Sequence, residues 1–259
     1  MTLPMPAPRE FRLLWSDGRV APPITPGSVI DVGTDEALAE LDRLYAPPPG
    51  PWVRMNMLGT LNARAAGPDG TSDSISNRAD RAILRRIRLA SDAIIVGAET
   101  VRQEVHMATG PRRLVVVTNS GDLTGHHISP AIAEQRVTVV CPRSAAPTVA
   151  RTMPGASMHH PTGERFGVDA VVEWCRSHGL DRLVVEGGSG LIAQFLDAEA
   201  IDEVCLTQAP VFGDPDSPGL PGSTAPRRYR RALLAADDLG FVYSRLVAET
   251  ADASSTEVN

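Results

Sequence analysis

The sequence predicts an α/β fold with a mainly parallel sheet, and three observations carry that prediction. Leu183-Val184-Val185-Glu186-Gly187-Gly188-Ser189-Gly190 is an apolar run that ends in glycine and leads directly into a helical pattern. Ile94-Ile95-Val96-Gly97-Ala98-Glu99-Thr100-Val101 has the same layout upstream. Around them, short runs rich in Val, Leu and Ile alternate with stretches of helical periodicity, as strands and crossover helices do. In such folds ligands bind beyond the carboxyl ends of strands, against helix amino termini.

Residues 1–51 read as an irregular arm. Pro4, Pro6, Pro8, Pro22, Pro23 and Pro26 keep it extended, and only Asp35–Tyr45, with Leu38, Leu41 and Leu44 on one side, has a helical pattern. A stiff Ala46–Pro51 linker follows. The compact domain is expected over 52–248: a strand at 52–58, a glycine-rich loop at 59–77, a helix at 78–90, a strand at 92–97 and a short helix from Thr100. Strands at 114–118 and 137–141, a helix at 168–178, a strand at 182–186 and a helix at 190–197 continue the alternation. Strand-like 203–211, a Pro/Gly loop to about Pro226 and a strand at 241–248 close the domain, the end of it as an antiparallel pair. Residues 249–259 are a polar tail.

Composition narrows the function. With 25 basic against 31 acidic residues the net charge is −6, so no basic excess is available to displace counterions from a nucleic acid. The locally basic blocks Arg81–Arg88 and Arg227–Arg231 read mostly as solvated surface. Three dispersed cysteines, Cys141, Cys175 and Cys205, suit packing in a reduced compartment rather than disulfides or zinc. No secretory signal pattern and no membrane-length apolar run is present, so a cytoplasmic protein is expected. The six histidines are scattered, with His126-His127 and His159-His160 in polar loops, and no metal site is expected.

The chemistry concentrates at strand ends. Gly187, Gly188 and Gly190 let backbone approach a phosphate, yet the run is neither the dinucleotide fingerprint nor a Walker loop, so another phosphate-bearing cofactor is indicated. The strand ending at Thr118 runs into Asn119, Ser120 and Gly121 with no acid before Asp122. Donors there suit a 2′-phosphate, hence NADPH; the same residues also favour a simple turn. Thr100 either caps the helix that follows Gly97 or donates to a ligand. Glu186, at the mouth of an apolar strand, binds either a polar ligand or neighbouring backbone.

Four segments resemble the pyrimidine reductases of riboflavin biosynthesis: Met55–Asn62; Ile75 to Arg88-Leu-Ala-Ser-Asp-Ala93; Ile94–Val101; and Val184–Leu191 with Ile201–Val204 and Ala209–Gly213. The resemblance implies a dihydrofolate-reductase-like fold: a mostly parallel central sheet with flanking helices and an antiparallel C-terminal strand pair. It implies an NADPH-dependent reductase that converts the ribosylamino group of a diaminopyrimidinone ribosyl phosphate to ribitylamino, working as a homodimer. Carried over residue by residue, Leu58, Thr100 and Gly188, Ser189, Gly190, Leu191, Ile192 and Gln194 would bind NADPH, and the strand-end reading adds Gly97, Thr118, Asn119, Ser120 and Gly187. Ser72, Arg88 and Glu186 would contact substrate, and Gly187-Gly188 is expected to form a strained or cis peptide.

Departures from the family pattern mark the substrate half. Asn62-Ala63 stands where the family has Asp-Gly, and Gln103-Glu104-Val105 where it has Asp-Asp-Pro. Asn62, Glu104 and Glu186 are the candidates for a catalytic group. A related reductase of a dihydropterin or dihydrofolate, and a non-catalytic NADPH-binding paralogue, are the alternative readings. The zinc signature of the deaminase that some members carry as a fused domain is absent from this sequence.

Overall fold

The computed structural model describes residues 6–8, 10–104, 110–163 and 166–249. Its elements are β1 (Phe11–Ser16), β2 (Val29–Ile30), α1 (Asp35–Leu44), β3 (Trp52–Gly59), α2 (Arg78–Ala90), β4 (Ala93–Gly97), α3 (Ala98–Gln103), β5 (Arg113–Val117), α4 (Pro130–Arg136), β6 (Val137–Val140), α5 (Ala146–Thr152), β7 (Ser157–His159), α6 (Val168–Ser177), β8 (Arg182–Gly187), α7 (Ser189–Asp197), β9 (Glu203–Gln208), β10 (Tyr229–Asp237) and β11 (Val242–Ala248). One eleven-stranded sheet joins them in the order β2-β1-β10-β11-β9-β3-β8-β4-β5-β6-β7. From β9 to β7 every neighbouring pair is parallel. From β9 to β2 every pair is antiparallel.

Strand alternation sorts the core into two layers. Leu58, Ile94, Val96, Leu114, Val116 and Val184 face one side with residues of α1, α2, α4 and α5. Val53, Met55, Ile95, Val115, Leu183 and Val185 face the other with residues of α6 and α7. Helix α2 shows how local sequence sets these elements. The Asn77 side chain caps its start by accepting from the Asp80 N–H, and Ala79, Ile83 and Ile87 form its buried stripe.

The described residues before Trp52 are not an irregular arm. Phe11 and Leu13 of β1 and Leu41 and Leu44 of α1 are buried in the core, and β1 pairs with β10 and β2. The prolines lie outside β1, and the strand's partner is more than two hundred residues away in sequence, as in the Phe11↔Asp237 pair. Strand β10, within a basic, alanine-rich stretch, was not expected; the expected antiparallel pair is β9 with β11, and β10 adds to the other edge of β11. Helices α4 and α5 and the short β7 were unforeseen as well, and His159 lies in β7, stacked on Trp174, rather than in a loop. Of the tail, only Glu249 lies among the described residues. No helix among them is long and apolar enough to cross a membrane.

A buried ionic cluster fastens α1 to the sheet. Glu203 is fully buried and receives Arg245 through Nε at 2.8 Å and Nη2 at 3.0 Å, Arg54 through Nη2 at 3.1 Å, and Trp52 Nε1 at 2.8 Å. The two guanidiniums also donate to the Leu44, Tyr45 and Ala46 carbonyls, which end α1. Cations thus meet the negative end of a helix whose last carbonyls would otherwise be unsatisfied. Burial pushes the Glu203 carboxyl upward, but the charges of Arg54 and Arg245 outweigh it and hold the pKa at about 2.

Because that pKa is lower folded than unfolded, the cluster's stabilisation is complete above the ordinary value of 4.5 and is lost as pH falls toward about 2. Glu203→Gln should leave two buried guanidiniums uncompensated and cost about 3–5 kcal/mol in urea denaturation at pH 7. The wild-type advantage over this variant should shrink steadily between pH 4.5 and pH 2.

Candidate active site

The sheet has a switch point where β4 and β8 lie side by side. Helix α3, after β4, contributes Val101 to one core layer, whereas α7, after β8, contributes Leu191, Ile192 and Phe195 to the other. Connections that leave adjacent parallel strands toward opposite faces open a crevice at the strands' carboxyl ends. A cavity of about 240 Å³ lies there, lined among others by Leu58, Ser72, Arg81, Arg88, Thr100, Glu104, Glu186 and Gly187–Gly190.

Contact between the two strand ends is close. Gly188 N–H donates to Thr100 Oγ1 at 2.7 Å, and a Cβ on Gly187 would lie 2.6 Å from that oxygen. Gly187 therefore has no room for a side chain. A Cβ on Gly188 would come no nearer than 3.9 Å to Thr100, and one on Gly190 would meet nothing within 4 Å, so the backbone entering α7 is uncovered toward the cavity. No peptide bond among the described residues is cis, so the cis alternative for Gly187-Gly188 is corrected: the contact is made with a trans peptide and Gly188 at φ 10°.

Strand β8 changes register at its end. Ile95 pairs with Val185 but Val96 pairs with Gly187, which leaves Glu186 in a bulge. The Glu186 side chain meets Arg88 of α2 in a bidentate pair, with Nε at 2.8 Å and 3.0 Å from the two carboxylate oxygens and Nη2 at 2.6 Å. Burial lowers the Arg88 pKa, but the Glu186 charge more than reverses this and keeps the guanidinium firmly protonated. The two expected substrate contacts are thus partners of each other within the cavity wall.

Across the cavity, Ser72 donates its N–H at 3.4 Å and its hydroxyl at 3.1 Å to Glu104 Oε1. Arg81 donates to Ser72 Oγ at 3.0 Å and pairs with Asp73. A second cavity of about 460 Å³ adjoins the first, sharing Arg81, Leu84, Arg88 and Glu104 and adding Arg85 and Arg112. Sequence reading placed the Arg81–Arg88 block mostly at the surface and assigned only Arg88 to the substrate. The spacing Arg81, Arg85, Arg88, with Leu84 between, puts them on one face of α2 and was the available signal.

Other expected residues lie elsewhere. Asn62 is outside the cavity: its Nδ2 donates to the Gly213 carbonyl at 2.9 Å while its Oδ1 accepts from Gly213 N–H at 2.8 Å and Thr60 Oγ1 at 2.7 Å. Here an amide serves where a carboxylate cannot, because both a donor and an acceptor are needed, and Asn62 is corrected from catalytic candidate to loop clamp. Thr118 Oγ1 accepts from Gly121 N–H at 3.1 Å and Ser120 Oγ from Asp122 N–H at 3.2 Å, so Thr118, Asn119 and Ser120 form a turn at the end of β5. Leu191 and Ile192 point into the core, and Gln194 turns back to the Gly190 carbonyl at 3.0 Å. Gly97 caps α3.

A doubly covered parallel sheet with a glycine-walled cleft at its switch point defines an α/β domain with a ligand-binding crevice. A model of the RibD C-terminal domain matches residues 51–240. The 2,5-diamino-6-ribosylamino-4(3H)-pyrimidinone 5′-phosphate reductase of Archaeoglobus fulgidus is 29% identical over 188 residues, 65% of this chain and 84% of that protein. The reductase of the same name from Methanothermobacter thermautotrophicus is 31% identical over 172 residues, 62% of this chain and 79% of its own. The crystal structure of a pyrimidine reductase-like protein of Corynebacterium diphtheriae shares the fold, with a TM-score of 0.66 at 21% identity over 77% of this chain and 92% of that one. The chain belongs to the RibD C-terminal domain family, the pyrimidine reductases of riboflavin biosynthesis, and is an oxidoreductase.

Gly187→Ala should weaken cofactor binding at least tenfold while Gly190→Ala changes it less than threefold, both read by fluorescence titration. Adding Thr100→Ala to Gly187→Ala should restore part of the loss, since the added methyl then has room. Ala63, beside the clamp, sits at φ 58°, a conformation costly for any residue with a Cβ. Ala63→Gly should raise stability by about 0.5–1 kcal/mol in thermal or urea denaturation.

Proposed function

We propose that the chain is an NADPH-dependent reductase of a diaminopyrimidinone ribosylamino phosphate, yielding the ribitylamino product. The observation that carries this reading is one cleft with a bare glycine backbone on one wall, the Glu186–Arg88 pair beside it and an arginine-lined cavity adjoining. The two similar archaeal proteins are named for this reduction.

NADPH fits the cleft's free backbone. Leu58, Gly97 and Thr100 would flank it, and Gly187, Gly188, Ser189 and Gly190 would face its phosphates where the first N–H groups of α7 have no helical acceptor. Leu191, Ile192 and Gln194 hold that helix start in place. The Thr118–Ser120 turn and exposed Arg143, at the neighbouring strand ends β5 and β6, supply donors and positive charge for a 2′-phosphate. When bound, the cofactor supplies a hydride.

The chain's own residues position the substrate. Arg85 and Arg112 offer the second cavity's charge to the substrate phosphate, which leaves the sugar carbon that accepts hydride in the first cavity. Ser72, Arg88 and Glu186 line that first cavity. Ring opening turns the ribosylamine into an imine, and protonation at its nitrogen gives the form that accepts hydride at C1′. The Glu186 carboxylate lies where it balances that positive charge, while Arg88 fixes its orientation. Catalysis rests on holding the reactants in line and on preorganised charge, without a strong acid.

The direct test is NADPH oxidation followed at 340 nm. Steady turnover is expected with the ribosylaminopyrimidinone phosphate and none with dihydrofolate; the reverse result would overturn the substrate assignment. NADPH should bind at least about tenfold tighter than NADH, roughly 1.4 kcal/mol. Arg88→Ala should lower substrate affinity by about 2 kcal/mol and leave the NADPH dissociation constant unchanged.

A further inference from the structure

We infer that Arg81 is a specificity residue that reads the hydroxylated sugar chain of the substrate. The inference rests on the reading above and extends it to a residue at the junction of the two cavities. Arg81 lines both of them. A ligand with its reacting carbon in the first cavity and its phosphate in the second must pass this side chain.

The guanidinium is held in place but not used up. Its Nη2 donates to Ser72 Oγ at 3.0 Å and pairs with Asp73, which fixes the plane of the group. Its Nε is buried and has no hydrogen-bond partner. That atom is enclosed by protein, so what the guanidinium turns to a ligand in either cavity is its terminal Nη groups; its bonds to Ser72 and Asp73 use only Nη2 and leave further N–H donors for a ligand. Of the groups on the proposed substrate, the phosphate is drawn to Arg85 and Arg112, which line the second cavity and not the first. The sugar hydroxyls lie between phosphate and reacting carbon, at the level of Arg81, and hydroxyl oxygens accept from an N–H.

Ser72 couples this contact to the reacting side. Arg81 donates to the same hydroxyl oxygen whose proton goes to Glu104. A substrate hydroxyl seated at the terminal nitrogens of Arg81 is therefore adjacent to the Ser72–Glu104 pair, and a substrate lacking that hydroxyl leaves a guanidinium N–H in the cavity wall without its acceptor. Sites that hydrogen-bond a hydroxyl reject the analogue without it far more strongly than apolar pockets reject an added one.

The test crosses enzyme variants with substrate analogues. The wild type, Arg81→Met and Arg81→Lys are assayed with the ribosylaminopyrimidinone phosphate and with its 2′-deoxy and 3′-deoxy forms. The wild type should favour the complete sugar over at least one deoxy form by tenfold or more in kcat/KM. Arg81→Met should raise KM for the complete substrate at least tenfold, change kcat less than threefold, and discriminate between the sugars less than threefold. Arg81→Lys should keep part of the affinity and lose most of the discrimination. The NADPH dissociation constant and the unfolding midpoint of both variants should match the wild type. Discrimination unchanged in Arg81→Met overturns the role of Arg81 alone. Absence of turnover by the wild type with the complete substrate overturns the functional reading, and the specificity role falls with it.

Discussion

The approach of Gly187 to Thr100 is the constraint on which the rest of the cleft depends. The ends of two parallel strands are drawn so close that a single methyl on Gly187 would fall within 2.6 Å of the Thr100 hydroxyl. The hydrogen bond from Gly188 N–H to that hydroxyl, 2.7 Å long, then fixes where α7 begins. The register shift one residue earlier is part of the same arrangement, because the bulge turns Glu186 toward α2 instead of extending the strand. One local device thus sets both walls: a bare backbone on one side and a carboxylate–guanidinium pair on the other.

Placing that device requires a rigid frame, and the antiparallel wing supplies half of it. Strands β9, β11, β10 and β1 continue the sheet beyond β3, and α1 covers one face of the wing. The Arg54–Glu203–Arg245 cluster connects β3, β9 and β11 to the last carbonyls of α1. A buried ionic group of this kind is costly unless its carboxylate is fully paired, and here the carboxylate is enclosed by donors from both arginines and Trp52, although Arg54 Nε itself makes no hydrogen bond. The family match begins at residue 51, so β1, β2 and α1 lie outside it although they share the core.

Much of the parallel core was legible because its signals are local. Helix α2 has a capping Asn77 and an apolar stripe at 79, 83 and 87, and it was read at its observed bounds. Strands β4 and β8 stood out as apolar runs closed by glycine. Strand β1 was hidden because its burial comes from α1 and β10, and nothing in a proline-flanked segment of six residues announces such partners. Asn62 shows the same limit at the site. Its partner Gly213 is 151 residues away, so the sequence displayed a missing aspartate where the fold uses a carboxamide to clamp two loops. On α2 only Arg88 was read as a substrate contact, and Arg81 and Arg85 were the missed signal: their spacing on one face was visible, but solvent or cavity as its destination was decided by tertiary packing.

The account makes the cleft a device for delivering hydride to one carbon of a phosphorylated ribosylamine, held between the glycine wall and the Glu186–Arg88 pair. The most direct measurement is isotopic. The chain is supplied with the ribosylaminopyrimidinone phosphate and NADPH carrying deuterium at the transferable position of C4, and the product is examined by NMR and mass spectrometry. One deuterium at C1′ of a ribitylamino product is the predicted result. A product without the label at C1′, or deuterium retained in the cofactor while the substrate is unchanged, would contradict it.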